Sequence, residues 1–299
     1  MPDGGDILNL LLEGGSPMRR LGVAGLQLDL EKTGNLDRLL KEVRATKARL
    51  PWVSVIVLSE LATHGASRDL AEPEDGPTEQ AYRELARALG VWLIPGSLYE
   101  RVDTSVFNTT PVIAPTGEIV ARYNKMFPFT PYEQGIAAGT SFCTFDIPGV
   151  GRIGISNCYD IWFGETTRSL VWLGAELIIN PSLTNTVDRD VEVAITRAAA
   201  ATNQCFVFNV NGAGRQGWGR SIACGPGGEI LHQAGHGNEV FALELDLDSV
   251  GRVRERGWNG LGQVLKSFRD TEVRFPPYAR GTRSDALDSL GPLTMPKAD

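Results

Sequence analysis

Apolar positions along this chain switch repeatedly between a period of two and a period near 3.6, so strands and helices alternate. Leu21 to Leu28 alternates and predicts a strand. Asn35 to Arg49 carries Leu36, Leu39, Leu40 and Val43 at helical spacing and stops before Pro51. Val53 to Leu58 predicts a second strand, Thr78 to Leu89 a helix with Gly90 at its C-terminus, and Val91 to Tyr99 a third strand. Phe107 to Ala114 and Glu118 to Asn124 flank Pro115-Thr116-Gly117 as a hairpin. The second half repeats this grammar. Gly151 to Ile155 predicts a strand and Glu165 to Leu173 a helix. Glu176 to Asn180 predicts a strand stopped by Pro181, and Asp188 to Asn203 an Ala-rich helix with Asp188 or Asp190 as N-cap. Cys205 to Asn211 predicts a strand, Ser221 to Ala223 and Glu229 to Gln233 flank Pro226-Gly227-Gly228, and Val240 to Leu247 closes the series.

Alternating β and α units in both halves imply an α/β protein with two mixed sheets. Runs such as Val53–Leu58 are apolar on both faces and need cover on both sides. The economical arrangement is a four-layer αββα sandwich, two sheets face to face with helices outside. No linker divides the chain, so residues 19–270 are expected to form one domain. Residues 1–18 are expected to be a tail, because acidic Asp3 and Asp6 precede the short apolar run Ile7–Leu12, unlike a signal peptide. The polar, Pro- and Gly-rich residues 271–299 are expected to be a second tail that lies across a neighbouring subunit.

The 299 residues carry a net charge of -7, which argues against a nucleic-acid or anionic-membrane surface. Cys143, Cys158, Cys205 and Cys224 show no paired spacing, and a chain this large needs no disulfide staples, which points to a reducing, cytoplasmic setting. Cys205 and Cys224 lie in apolar runs and are expected to be small core hydrophobes, as is Cys143.

Cys158 differs. It sits at the tip of Gly154-Ile155-Ser156-Asn157-Cys158-Tyr159-Asp160, a strand ending in a polar turn. Two other strands end in groups that could serve it: Val53–Leu58 leads to Glu60, and Ile119–Asn124 leads to Lys125. A thiol is mostly protonated at neutral pH and needs a base, a cation or both to act as a nucleophile. Glu60 could take its proton and later pass it to a departing amine. Lys125 could hold the thiolate and then the oxyanion of a tetrahedral intermediate, with the backbone N–H of Tyr159 as a second donor. Taken singly, a strand-terminal Glu or a Lys ending a hairpin is more often a solvated end. The three together suggest covalent acyl transfer.

These residues resemble the Glu-Lys-Cys motifs of the nitrilase superfamily of carbon–nitrogen hydrolases, in the same order and at matching strand ends. Pro131-Tyr132-Glu133 ahead of Gly139-Thr140-Ser141-Phe142 is similar to the segment that bears the family's second glutamate. Asn180-Pro181-Ser182 and Arg197 to Asn203 also match, and the resemblance covers about Leu21 to Leu247. It implies an αββα sandwich that dimerises through its helical layers, Cys158 as nucleophile, Glu60 as base, Lys125 on the oxyanion and Glu133 supporting the triad. It implies no metal and no cofactor. Leu58-Ser59-Glu60, Phe163-Gly164-Glu165 and Met126-Phe127-Pro128-Phe129 depart from the usual flanks, which concerns the shape of the pocket rather than its catalytic groups.

Cys158-Tyr159-Asp160 resembles the amidase-type branches more than the nitrile-cleaving ones. The resemblance thus implies an amidase that releases ammonia from a small carboxamide through a Cys158 thioester. An N-carbamoyl hydrolase or a nitrilase using the same groups is the neighbouring alternative, and a non-catalytic nitrilase-like interaction protein is the alternative of another class. Tyr132, Trp162 and Asn185 are candidate substrate contacts. Gly212 to Gly217 fits G-x-G-x-x-G, but no helix pattern follows, so it is expected to be a loop rather than a nucleotide site. His232 and His236 lie in a glycine-rich turn with no third ligand in view. His64 near Glu60 could in principle make a Cys-His dyad, but papain-type signatures around the cysteine are absent.

Overall fold

The structure is a computed structural model that describes residues 18–295; most of the predicted N-terminal tail lies outside them. Strand β1 (Arg20–Gln27) is followed by helix α1 (Leu36–Arg49) and strand β2 (Val55–Leu58), which returns parallel to β1 with Leu26 opposite Leu58. The two-residue β3 (Glu72–Pro73), helix α2 (Pro77–Leu89), β4 (Trp92–Ile94), β5 (Leu98–Val102), β6 (Ser105–Ile113) and β7 (Ile119–Asn124) extend this sheet. The second sheet is built from β8 (Cys143–Ile147), β9 (Gly151–Ile155), β10 (Leu177–Ser182), β11 (Phe206–Asn211), β12 (Ile222–Cys224) and β13 (Ile230–Gln233), with α3 (Gly164–Trp172) and α4 (Arg189–Asn203) as crossovers. β14 (Glu239–Asp246) then returns to the first sheet and pairs antiparallel with β1 along its whole length, Arg20 opposite Asp246 and Gln27 opposite Glu239. The sheet orders are β14-β1-β2-β4-β6-β5-β3, with β7 on β6, and β13-β12-β11-β10-β9-β8. Helices α5 (Asp248–Arg256) and α6 (Val264–Asp270) follow.

Side-chain alternation sorts these strands into layers. Val55 and Val57 of β2 face inward with Ile153, Ile155, Leu177, Ile179 and Phe208 in a core between the sheets. Ile56 and Leu58 face outward onto Leu39 and Val43 of α1 and Tyr82 and Leu85 of α2. Ile178 and Val207 of the second sheet face outward onto Leu170 of α3 and Val193 and Ala200 of α4. This is the four-layer αββα sandwich. Cys143 joins the central core, and Cys205 and Cys224 the outer one, as small buried hydrophobes. Burial pushes the Cys143 thiol up to about 11 and the other two up to about 12.

The structure departs from the sequence pattern in several places. The predicted strand Val91–Tyr99 is two strands broken at Pro95-Gly96. Gly96 has φ +75°, and a Cβ there would lie 1.8 Å from the carbonyl oxygen of Ser59. Pro181 does not stop its strand, which runs to Ser182. β9 pairs with β10 only as far as Ile155 opposite Ile179, so position 181 has no strand on that side to receive an N–H. β8 and the helices after β14 add to the elements that the sequence pattern predicts. From Thr271 to Met295 the residues are exposed. An aromatic run leads into this segment, Trp172 meeting Phe268 and Phe268 meeting Phe275. No helix among the described residues is long and apolar enough to cross a membrane.

Candidate active site

β2 is buried at every position, so the chain leaving it carries Glu60 into an apolar setting. Two contacts fix that exit. The Glu60 backbone N–H donates to the Ser182 carbonyl on the second sheet at 3.2 Å. Leu61 turns the chain in a left-handed conformation (φ 49°), with its N–H on the Ser97 hydroxyl at 3.2 Å. Lys125 follows β7, its backbone N–H on the Asn108 carbonyl at 2.9 Å. Its ammonium donates to Glu60 Oε1 at 2.8 Å and Glu133 Oε2 at 2.6 Å. The side chain of Asn108 donates to the same two carboxylates, at 2.9 Å and 2.7 Å. The Phe129 N–H adds a bond to Glu133 at 2.7 Å.

All three charged groups are buried, a state that persists only with pairing and hydrogen bonds of this kind. Two carboxylates share one ammonium. Burial first, then the Glu133 charge, raises the Glu60 carboxyl above its ordinary range, against Lys125 and the Cys158 thiol. Burial alone would lower Lys125, but Glu60 and Glu133 outweigh it and hold the ammonium well above its ordinary value.

Cys158 ends the second sheet's contribution. It has φ +48° and opens a single 3-10 turn, Cys158–Trp162. Asp160 braces that turn. Its carboxylate accepts from the Asn157 N–H at 3.0 Å, the Tyr123 hydroxyl at 2.6 Å and the Phe127 N–H at 2.9 Å. The aspartate therefore ties the cysteine turn to the segment that carries Lys125. Burial pushes Asp160 up to about 6. The Cys158 thiol lies well above its ordinary value, through burial first and Glu60 second, while Lys125 and the Leu183 amide favour the thiolate.

Glu60, Lys125, Glu133 and Cys158 share one cavity of about 370 Å³ with Phe129, Leu61 and Leu183, and with Lys32, Tyr132, Asn185 and Gln216. Tyr132 and Asn185 also border a smaller recess on Cys158, where Trp162 and Tyr159 join them. The three candidate contact residues thus lie on this cavity or its recess.

The remaining motifs lie elsewhere. His64 is bound to Thr78 Oγ1 at 2.9 Å and lies 3.3 Å from Glu72, and it is not among the residues of the cavity. His232 meets Glu239 and stacks on Phe241, and His236 meets the Trp218 carbonyl. Gly212 to Gly217 forms a loop between β11 and β12, where a Cβ on Gly217 would lie 2.2 Å from the Gly212 carbonyl oxygen. Close backbone packing accounts for Gly217, and a left-handed conformation against the Asp29 side chain for Gly214. Among the described residues, no group of three or more His, Cys, Asp or Glu is placed to hold a metal.

Sequence reasoning missed Asn108, Thr184, Glu192 and Arg189. Asn108 joins the two carboxylates, and its side-chain Oδ1 accepts from Asn157 Nδ2 at 3.0 Å. Thr184 Oγ1 lies 3.8 Å from the Cys158 sulfur. The available signal was polarity at inward positions of otherwise apolar elements.

The fold and site define a hydrolase class that sequence comparison identifies directly. Residues 20–255 match the family profile described as Carbon-nitrogen hydrolase, and the chain belongs to that family. Its relatives place it in the amidase-like branch of the nitrilase superfamily. Human omega-amidase NIT2 is 27% identical over 256 residues, 79% of this chain and 92% of that protein, and the mouse protein matches to the same extent. The crystal structure of Saccharomyces cerevisiae Nit3, a member of branch 10 of the nitrilase superfamily, superposes with a TM-score of 0.74 at 25% identity. That match covers 81% of this chain and 96% of the yeast chain.

Proposed function

We propose that this protein is an amidase that releases ammonia from a small carboxamide through a thioester on Cys158. The observation that carries this reading is Lys125, bound to Glu60 and Glu133 on the wall of a cavity that also holds Cys158. An ammonium has three N–H donors and two are committed to the carboxylates, which leaves one for a substrate oxygen. As the sulfur attacks the amide carbon, Glu60 takes the thiol proton. The carbonyl oxygen becomes an oxyanion held by Lys125 and the Tyr159 backbone N–H. One such donor is typically worth about 10²–10³ in rate. The intermediate expels the amine, which takes its proton from Glu60 and leaves as ammonia. Water then gives a proton to Glu60 and attacks the thioester, and the carboxylic acid leaves as the thiol is restored. Glu133 holds Lys125 in place. Tyr132, Trp162 and Asn185 contact the substrate. The omega-amidase relatives support an amide over a nitrile.

Ammonia release across a panel of short amides tests the reading, with intact-mass analysis of rapidly quenched wild type to catch an acyl group on Cys158. A gain equal to the amide's mass less about 17 units, the NH3 lost, marks the thioester. No turnover and no adduct across the panel would leave the non-catalytic interaction protein as the better account.

A further inference from the structure

The Cys158 sulfur meets groups from both sheets. Thr184, just past β10, is its neighbour from the second sheet, and the mechanism above does not use it. This threonine is held from behind. Its N–H donates to Asn211 Oδ1 at 2.8 Å, and its hydroxyl donates to Glu192 Oε2 at 2.7 Å. Glu192 is buried on α4 and also accepts from Arg189 Nη1 at 2.5 Å and the Ser182 hydroxyl at 3.1 Å. Arg189 is buried too, and its other donors go to Asn209 Oδ1 and to the Gly219 and Arg220 carbonyls. A carboxylate held in this way is an acceptor only, and a hydroxyl has a single proton to give. Since that proton goes to Glu192, Thr184 can offer the sulfur only a lone pair. A lone pair favours S–H and opposes S⁻.

We propose that Thr184, oriented by Glu192 and Arg189, is a positioning residue that holds Cys158 as a neutral thiol, in place, until a substrate draws its proton to Glu60. The inference rests on Cys158 being the nucleophile. The charged groups that act on the sulfur come from three elements, Glu60 after β2, Lys125 after β7 and Glu192 on α4; Glu133 and Asp160 face Lys125, and Arg189 faces Glu192. Lys32 lines the same cavity. Lys125 and the Leu183 amide favour the thiolate; burial, Glu60 and Glu192 oppose it. The cysteine is thus guarded from alkylation and oxidation between turnovers, unlike a nucleophile stored as a thiolate.

The test follows iodoacetamide labelling of the Cys158 peptide by mass spectrometry from pH 6 to pH 10, in the full chain and in Glu192→Gln, Thr184→Ser and Thr184→Val. Glutamine can present its oxygen to both Thr184 and Arg189, so it removes the charge and keeps the geometry. Its labelling curve is expected to move about one unit to lower pH, on the order of tenfold faster at neutral pH. On the amide that the wild type turns over, Thr184→Val is expected to lose about tenfold in kcat with KM nearly unchanged, and Thr184→Ser to restore it. Coincident labelling curves for wild type and Glu192→Gln overturn the proposal, as does a serine variant no better than the valine one. If Glu192→Gln does not fold, the pair at Thr184 decides. Labelling requires no turnover, so a chain inert toward every amide but with the expected shift would refute the amidase reading and leave this one standing.

Discussion

Glu60 must be ionised to accept a proton, yet it is buried beside a second carboxylate. Its carboxyl is therefore raised, and kcat/KM is expected to fall on the acid side at a pH above the ordinary glutamate range, as activity is lost when Glu60 binds a proton. A pH–rate profile whose acid limb lies near pH 4 would contradict this assignment. Asp160 sets a second pH dependence, on stability. Its folded value of about 6 lies above the ordinary 3.8, so the folded state binds the proton more tightly. That contribution is complete below about pH 4 and is lost as pH rises through about 6, by up to about 3 kcal/mol. Asp160→Asn removes the titration. Urea unfolding should show the stability gap between wild type and Asp160→Asn narrowing by that amount from pH 4 to pH 7. At this scale the sequence exposes Glu60, Lys125 and Cys158, because each follows a run of strand-forming residues. It hides Asn108 and Glu192, because their partners lie 48 and 8 residues away and only the packed sheets bring those side chains together.

Elements place the site by where they end. β2, β7 and β9 run out at one rim, and each delivers its side chain in the turn beyond the last ladder bond. Periodicity finds such strands well and their ends poorly. Val91–Tyr99 has the composition of one strand, but Pro95-Gly96 bends it where the backbone passes Ser59, next to Glu60. Pro181 resembles a stop, yet β10 continues because β9 has already left its side. Gly96→Ala places a methyl against the Ser59 carbonyl in a left-handed conformation. It is expected to cost about 2–4 kcal/mol in urea unfolding and to impair hydrolysis by moving Glu60. A variant with unchanged stability and activity would show that this contact does not position the base.

For the molecule as a whole, no residue of the buried core lies beyond Val250 among the described residues. Removal of residues 271–299 is therefore expected to shift the thermal midpoint by less than about 4 °C. Because Trp172, at the end of α3, and the adjoining Leu173 are exposed beside the aromatic run that reaches into this segment, the same truncation is expected to lower the particle mass seen by light scattering by more than the residues removed. A loss of only the mass removed would show that this segment holds no subunit contact. The αββα plan itself is readable from alternation because both sheets are covered on both faces; the course of the exposed segment is not, since little apolar surface specifies it.

The full-length pairing of β1 with β14 sets a condition on biosynthesis. The strand that opens the first sheet lacks its outer neighbour until Asp246 has been made, so a ribosome-bound intermediate displays a bare edge for most of translation. Catalytic competence should appear only after that last strand emerges, and chaperone dependence should be greatest in the interval before it.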